Sequence, residues 1–187
     1  VSEHGLKKCI RVSAQVSTAR LDTRDLDTPR SVPGAQKAKQ FVAERLFQIS
    51  ESDLESMEKW NLRRTILSEP ERIKPLVLLL GRAHELVNVQ ELDLRNCQID
   101  ADGAKGIASC LIANESLRRV DLRKNEITGD AAWQLATAVL ESESIEVYND
   151  IPIKDLRNDS FSALSLRDKS IGNDGVMVVK GLLPNAP

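Results

Sequence analysis

The sequence predicts an α/β fold: a short right-handed solenoid of βα units, preceded by an α-helical N-terminal cap and an extended N-terminal tail. Three observations lead there. Two segments 28 residues apart align without a gap. Each opens with the apolar–polar alternation of a half-buried strand and continues with apolar residues at helical spacing. Aromatic residues are 3% of the chain against 41% hydrophobic overall, so Leu, Ala, Val and Ile must build the core, in narrow repeated layers.

The aligned strand segments run from Val89 to Ile99 and from Leu117 to Ile127. Leu92 and Leu94 in the first, and Val120 and Leu122 in the second, face one side. A third segment has Phe161, Leu164, Leu166, Lys169 and Ile171 in the same places. Three residues after the closing Ile stands an acid each time: Asp102, Asp130 and Asp174. Asp is a favoured helix N-cap, its carboxylate accepting free N–H groups of the first turn, so these three are the expected caps. Beyond them, Ala104, Ile107, Ala108 and Leu111 recur as Ala132, Leu135, Ala136 and Val139. The third unit offers Val176, Val179 and Leu183, with Lys180 breaking the stripe. Such units bury their faces only against one another.

The recurring pattern, apolar-x-x-apolar-x-Leu-x-x-(Asn, Cys or Lys)-x-Ile, resembles a leucine-rich repeat. The unit length, the full helix and the segments Asn96-Cys97-Gln98-Ile99 and Asn114-Glu115-Ser116-Leu117 resemble the ribonuclease-inhibitor-like subclass. The resemblance covers Pro75 to Leu183. It implies the solenoid but leaves function open, because that subclass serves inhibitors, GTPase activators, immune receptors and scaffolds.

The repeats start near 89, 117, 145 and 161, so the unit at Ile145 is short. It has room for a loop or a single helical turn, and Pro152 excludes a central strand there. The short unit alters the local curvature or forms a partner-specific notch. Ahead of the repeats, residues 34–88 read as a helical cap. Ala38, Phe41, Val42, Arg45 and Ile49 lie at helical spacing, and Ser52-Asp53-Leu54-Glu55 reads as a capping box opening a helix with Leu54, Met57 and Trp60. Pro75 to Leu80 aligns with the repeat helix at Gly103. Its strand is expected to be missing, because Asn61 and Arg64 stand where apolar residues belong at an offset of 28. Residues 1–33 form the tail, charge-rich from Thr18 to Arg30, held by a partner or along the protein's own helices. The solenoid occupies 89–187, and its last layer, ending in Leu182-Leu183-Pro184, lacks a polar capping unit.

Lys and Arg number 26 against 28 Asp and Glu, so no global field argues for nucleic acid. The longest apolar run, Leu76 to Leu80, is too short for membrane insertion. Cys9, Cys97 and Cys110 form neither a disulfide framework nor a zinc spacing and suit a reducing, intracellular and cytoplasmic setting. Lys7, Lys8, Arg11 and Arg20 against Glu3 also fit an organelle transit segment, or an ordinary disordered tail.

No catalytic, cofactor-binding or metal-binding group is expected. The only histidines are His4 and His84, and no nucleophile or phosphate loop has a motif around it. Cys97, at the usual Asn position, and Cys110 read as structural fillers. Two surfaces are candidates for partner binding. On the concave face stand Asp93, Asp121 and Ser165, with Arg95, Arg123 and Arg167 two residues further along each chain segment; Arg118 and Arg119 add positive charge. Neighbouring strands lie ~4.8 Å apart, so these side chains adjoin. They form either a solvated Asp–Arg lattice, at ~0–1 kcal/mol per pair, or a docking surface for an acidic partner segment gripped by Arg forks. On the convex face, Trp133 and Met177 occupy a position expected to face solvent. Trp133 is an interface anchor there, or folds back over a thin repeat. The expected function is a non-enzymatic protein–protein interaction module or scaffold, an accessory subunit of a larger assembly. The alternative is a regulator of an enzyme, as inhibitor or GTPase-activating relative.

Overall fold

The computed structural model describes residues 33–82, 87–160 and 163–183. The tail up to residue 32, with His4 and Cys9, lies outside the described residues, as do His84, Phe161 and Pro184. The described residues all belong to the compact unit Ser31–Pro187.

The sheet carries the solenoid. Strands β1 (Lys59–Asn61), β2 (Glu91–Asp93), β3 (Arg119–Asp121) and β4 (Val147–Tyr148) pair in parallel and in that order. Each contributes one inward residue to a single layer: Trp60, Leu92, Val120 and Tyr148, all at most 1% exposed. Leu62, Leu94 and Leu122 form the next buried layer, and Leu67, Ile99 and Ile127 the one after. Behind the strands lie α3 (Pro70–Leu80), α4 (Ala101–Ala113) and α5 (Gly129–Glu141), with α3 packed on α4 and α4 on α5. Leu79, Ile107 and Leu135 stack from helix to helix, as do Leu76, Ala104 and Ala132, all fully buried. The small alanines let helices approach while leucines fill the space to the sheet.

β1 corrects the expectation of a missing strand. Trp60 pairs with Leu92 and Asn61 with Asp93, an offset of 32 where the helices keep 28. The chain between this strand and its helix is longer, so a search at constant spacing compares Asn61 and Arg64 with the wrong positions. Lys59 to Leu80 is therefore the first unit of the solenoid. Ahead of it stand α1 (Pro33–Phe41), a π-helical turn (Val42–Phe47) and α2 (Glu51–Ser56), with α1 packed against α3.

The caps also differ from expectation. α4 is capped by Asp100, whose Oδ1 accepts the Gly103 N–H at 2.8 Å, two residues before Asp102. α5 starts after Thr128, which makes no side-chain cap bond, and Asp130 lies within its first turn. Ser50, not Ser52, caps α2 by accepting the Asp53 N–H at 3.1 Å. Trp60 lies on β1, not on that helix.

The short unit behaves as its length dictates. Asn149 and Asp150 both have positive φ, 50° and 65°, the requirement of a tight two-residue hairpin turn. The chain reverses into β5 (Ile151–Pro152), antiparallel to β4 at the sheet edge, where a proline without an N–H is tolerated. The five-residue α6 (Ile153–Arg157) follows. Arg157 donates to the carbonyls of Val139 and Leu140 at 2.8 and 3.1 Å, closing the C-terminus of α5. The last unit forms its helix, α7 (Gly172–Leu182), against α5, but residues 163–166 form no strand. Leu164 and Leu166 are half-buried against the core.

α7 is tied to the hairpin by a buried polar cluster. Asp174, in its first turn and 3% exposed, accepts Tyr148 Oη at 2.6 Å and Asn149 Nδ2 at 2.7 Å. It is an interior anchor, not the expected cap; Ile171 precedes the helix. Burial raises the Asp174 pKa above its ordinary 3.8, and the Tyr148, Asn149 and backbone hydrogen bonds oppose that without cancelling it. The folded state therefore holds this proton more tightly than the unfolded state. Its contribution is greatest below 3.8 and declines as pH rises through the folded value. We expect the stability of the wild type relative to Asp174→Asn to fall over that window and then level off. Urea midpoints measured at steps from pH 3.5 to 7 check this; a constant difference would contradict it.

Candidate functional site: the concave charged face

Strand alternation sends Trp60, Leu92 and Val120 into the core and Lys59, Asn61, Glu91, Asp93, Arg119 and Asp121 to the open face of the sheet. Three rows cross the strands. Lys59, Glu91, Arg119 and Val147 make the first, and Asn61, Asp93 and Asp121 the second. Arg95 and Arg123 stand in the third, just past the strand ends.

The acidic and basic rows form a lattice. Arg95 Nε lies 2.9 Å from Asp93 Oδ1 and 3.4 Å from Asp121 Oδ2. Arg123 donates Nε and Nη2 to the two Asp121 oxygens at 2.9 and 2.7 Å, and its Nη1 lies 3.7 Å from Asp150. Lys169 closes the row at 3.0 Å from Asp150 and donates to the Asp150 carbonyl. Asp93 and Asp121 also accept the backbone N–H of Arg95 and Arg123, both at 3.1 Å, so each carboxylate braces its own turn. Burial pushes the Asp93 pKa up, but the Arg95 hydrogen bonds and charge outweigh it, and the net displacement is downward. The Lys169 hydrogen bond and charge lower Asp150 despite partial burial. Lys59 and Glu91 pair at 2.9 Å.

Not every expected residue joins. Arg119 is exposed on β3 and its guanidinium has no ion pair or hydrogen bond among the described residues. Arg118 points elsewhere: it donates to the carbonyls of Glu115 and Ser144 and lines a separate edge groove with Glu146. Arg167 is 90% exposed and, among the described residues, pairs only with Asp168, at 3.6 Å, because its segment adds no strand to the sheet; Ser165 is likewise exposed. Conversely, Lys59, Arg63, Asp150 and Lys169 belong to this face and were missed. Asn61-x-Arg63 repeats the Asp93-x-Arg95 spacing, the signal that would have revealed β1. On the convex side, Trp133 on α5 is 53% exposed, with Met177 (36%) and Val176 (56%) on neighbouring α7.

The turns beneath the lattice are held by polar side chains. Asn114 donates to the Leu80 carbonyl at 2.8 Å and accepts the N–H groups of Ser116 and Leu117. Cys97 is buried where the next unit has Asn125, and its thiol donates to the Leu62 carbonyl at 3.0 Å. Cys110 does the same toward Val77. Burial pushes the two thiols up to about 11 and about 12. At pH 8 both should therefore resist a thiol-labelling reagent in the native protein and react once it is unfolded in urea. Rapid native labelling of Cys97 would contradict its placement.

Residues 86–108 and 113–132 match the family described as leucine rich repeat. Those two segments are leucine-rich repeats. They belong to the parallel βα units described above, each strand stacked on the last. Among solved structures, the chain is similar to the actin-binding site 2 of leiomodin-1, at 17% identity over 81% of this chain and 86% of that one, TM-score 0.47. It is also similar to a tropomodulin C-terminal domain from Caenorhabditis elegans, at 13% identity over 79% and 90%, TM-score 0.38. No curated protein sequence matches it.

Proposed function

We propose that this chain is a non-enzymatic protein-binding module, an accessory subunit of a larger assembly, and that its concave face receives an acidic segment of a protein partner. The observation that carries this is the imbalance on the face. Glu91, Asp93, Asp121 and Asp150 are each engaged by a cation of the same chain, while Arg119 is exposed and unpaired among the described residues. An incoming carboxylate meets no unpaired acid there, whereas Arg119, and Arg63 at the other end of the face, have guanidiniums outside any ion pair among the described residues, each able to take both its oxygens. Arg95 and Arg123 support the surface by holding the aspartates and are not themselves free forks. Trp133, with Met177 and Val176, supplies a second, convex contact. Two buried free thiols suit a reducing intracellular compartment.

A photo-crosslinking side chain placed at Val147 on the concave face, or at Trp133 on the convex face, tests the assignment in extracts of the native source. The expected result is one defined protein crosslinked from Val147. Crosslinks only from Trp133 would move the binding surface to the convex side, and none from either position would sink the binding-module reading.

A further inference from the structure

Building on the concave-face reading, we propose that the partner's acidic segment is extended and is gripped at two separated points, Arg63 and Arg119, so that it must carry carboxylates a fixed distance apart. Register places Arg63 in the row of Arg95 and Arg123. Asn61 pairs with Asp93, and the following N–H groups of Leu62 and Arg64 go to the carbonyls of Asp93 and Arg95. Arg119 lies in the opposite row, two strands away and four residues before Arg123. Both arginines are exposed, and neither guanidinium has an ion pair or hydrogen bond among the described residues.

Between them the face is already neutral. Glu91 is taken by Lys59 at 2.9 Å, and Asp93 and Asp121 are taken by the arginines of the lattice. A carboxylate over the centre would face acids whose cations are committed. At either end it would find a guanidinium whose fork makes no hydrogen bond among the described residues, drawn only at a distance toward Asp93 in the case of Arg63 and toward Glu146 and Asp150 in the case of Arg119. Two strand spacings of ~4.8 Å across, and roughly four residues at ~3.3 Å along, separate the ends by about 16 Å, or about five residues of extended chain. Single exposed contacts of this kind are weak. The second becomes effective only when the first holds the segment at a length that spans the gap.

Three labelled peptides of otherwise Ser, Thr and Gly test the spacing by fluorescence anisotropy at low salt: two Glu about five positions apart, two adjacent Glu, and two Lys about five positions apart. The spaced acidic peptide should bind about tenfold more tightly than the adjacent one, and the lysine peptide should not bind. Arg63→Glu and Arg119→Glu should each reduce the spaced peptide to the level of the adjacent one. A spaced peptide with one Glu changed to Lys should recover affinity for Arg119→Glu. Should either glutamate disturb folding, as read by circular dichroism, Arg63→Gln and Arg119→Gln should still weaken binding of the spaced peptide. Equal affinity for both acidic spacings, or no effect of changing Arg63, would overturn the two-point grip. Crosslinking of a natural partner from Val147 that persists despite such a result would leave the concave-face reading standing; loss of both would remove both.

Discussion

Replacing Asn125 with alanine should lower the unfolding free energy by about 4 kcal/mol. This side chain joins two successive turns of the solenoid. Its Oδ1 accepts the N–H groups of Cys97 and Ile99 at 2.9 and 3.2 Å, and its Nδ2 donates to the carbonyls of Leu94 and Leu122 at 2.9 and 2.8 Å. Alanine strands four backbone groups in a partly buried site. Each unmet group costs about 1–3 kcal/mol, toward the lower end where water can reach. Asn125→Asp should be nearly as damaging, because it turns an oxygen toward two carbonyls. Urea unfolding checks both: the midpoint should drop with the slope unchanged. A loss under about 1 kcal/mol would mean that the turns hold without this bridge.

Trp60→Ala should cost a similar amount, about 3–5 kcal/mol, by opening a large cavity at the start of the sheet. Trp60 is 1% exposed, fills the layer of Leu92 and Val120, and meets Phe47 edge-on with ring centroids 5.5 Å apart. Its Nε1 is buried without a hydrogen-bond partner among the described residues, so the indole contributes volume more than polarity. Trp60→Phe, which keeps most of that volume, should cost under about 1.5 kcal/mol. Native-state hydrogen exchange locates the effect. The amides of Leu62, Arg64 and Leu67, which donate to Asp93, Arg95 and Cys97, should lose protection in Trp60→Ala before those of α5. Unchanged protection there would show that β1 does not depend on Trp60.

Much of the fold was legible because the stacked layers impose a period. Leu92, Leu94 and Ile99 recur as Val120, Leu122 and Ile127, and the alanines of α4 recur on α5. Where the backbone departs from that period, the pattern misled. The longer link after β1 shifted Trp60 out of alignment and hid a strand, with Lys59 on it and Arg63 just past its end. The hairpin at Asn149 and Asp150 closed the sheet at β5, so Ser165 and Arg167 keep the sequence pattern of a strand without being one. Spacing placed Asp102, Asp130 and Asp174 at corresponding positions, but spacing alone does not fix which residue caps. Asp100 reaches the Gly103 N–H, whereas Asp174 turns inward to Tyr148. The arginine positions were legible from the repeat. Their commitments were not, because whether Arg95 is free or paired depends on Asp121 from the next strand and on the side-chain rotamers.

The most direct test of the central claim, that the free charge on the concave face recruits a partner, is the affinity of the protein captured from Val147 for Arg119→Glu against the wild type. At least a tenfold loss is expected, greater at low ionic strength, with the urea midpoint nearly unchanged, because Arg119 makes no ion pair or hydrogen bond among the described residues and acts on Glu146 and Asp150 only through its charge at a distance. Unchanged affinity with that midpoint preserved would contradict it, leaving the charged rows as a lattice that only supports the sheet.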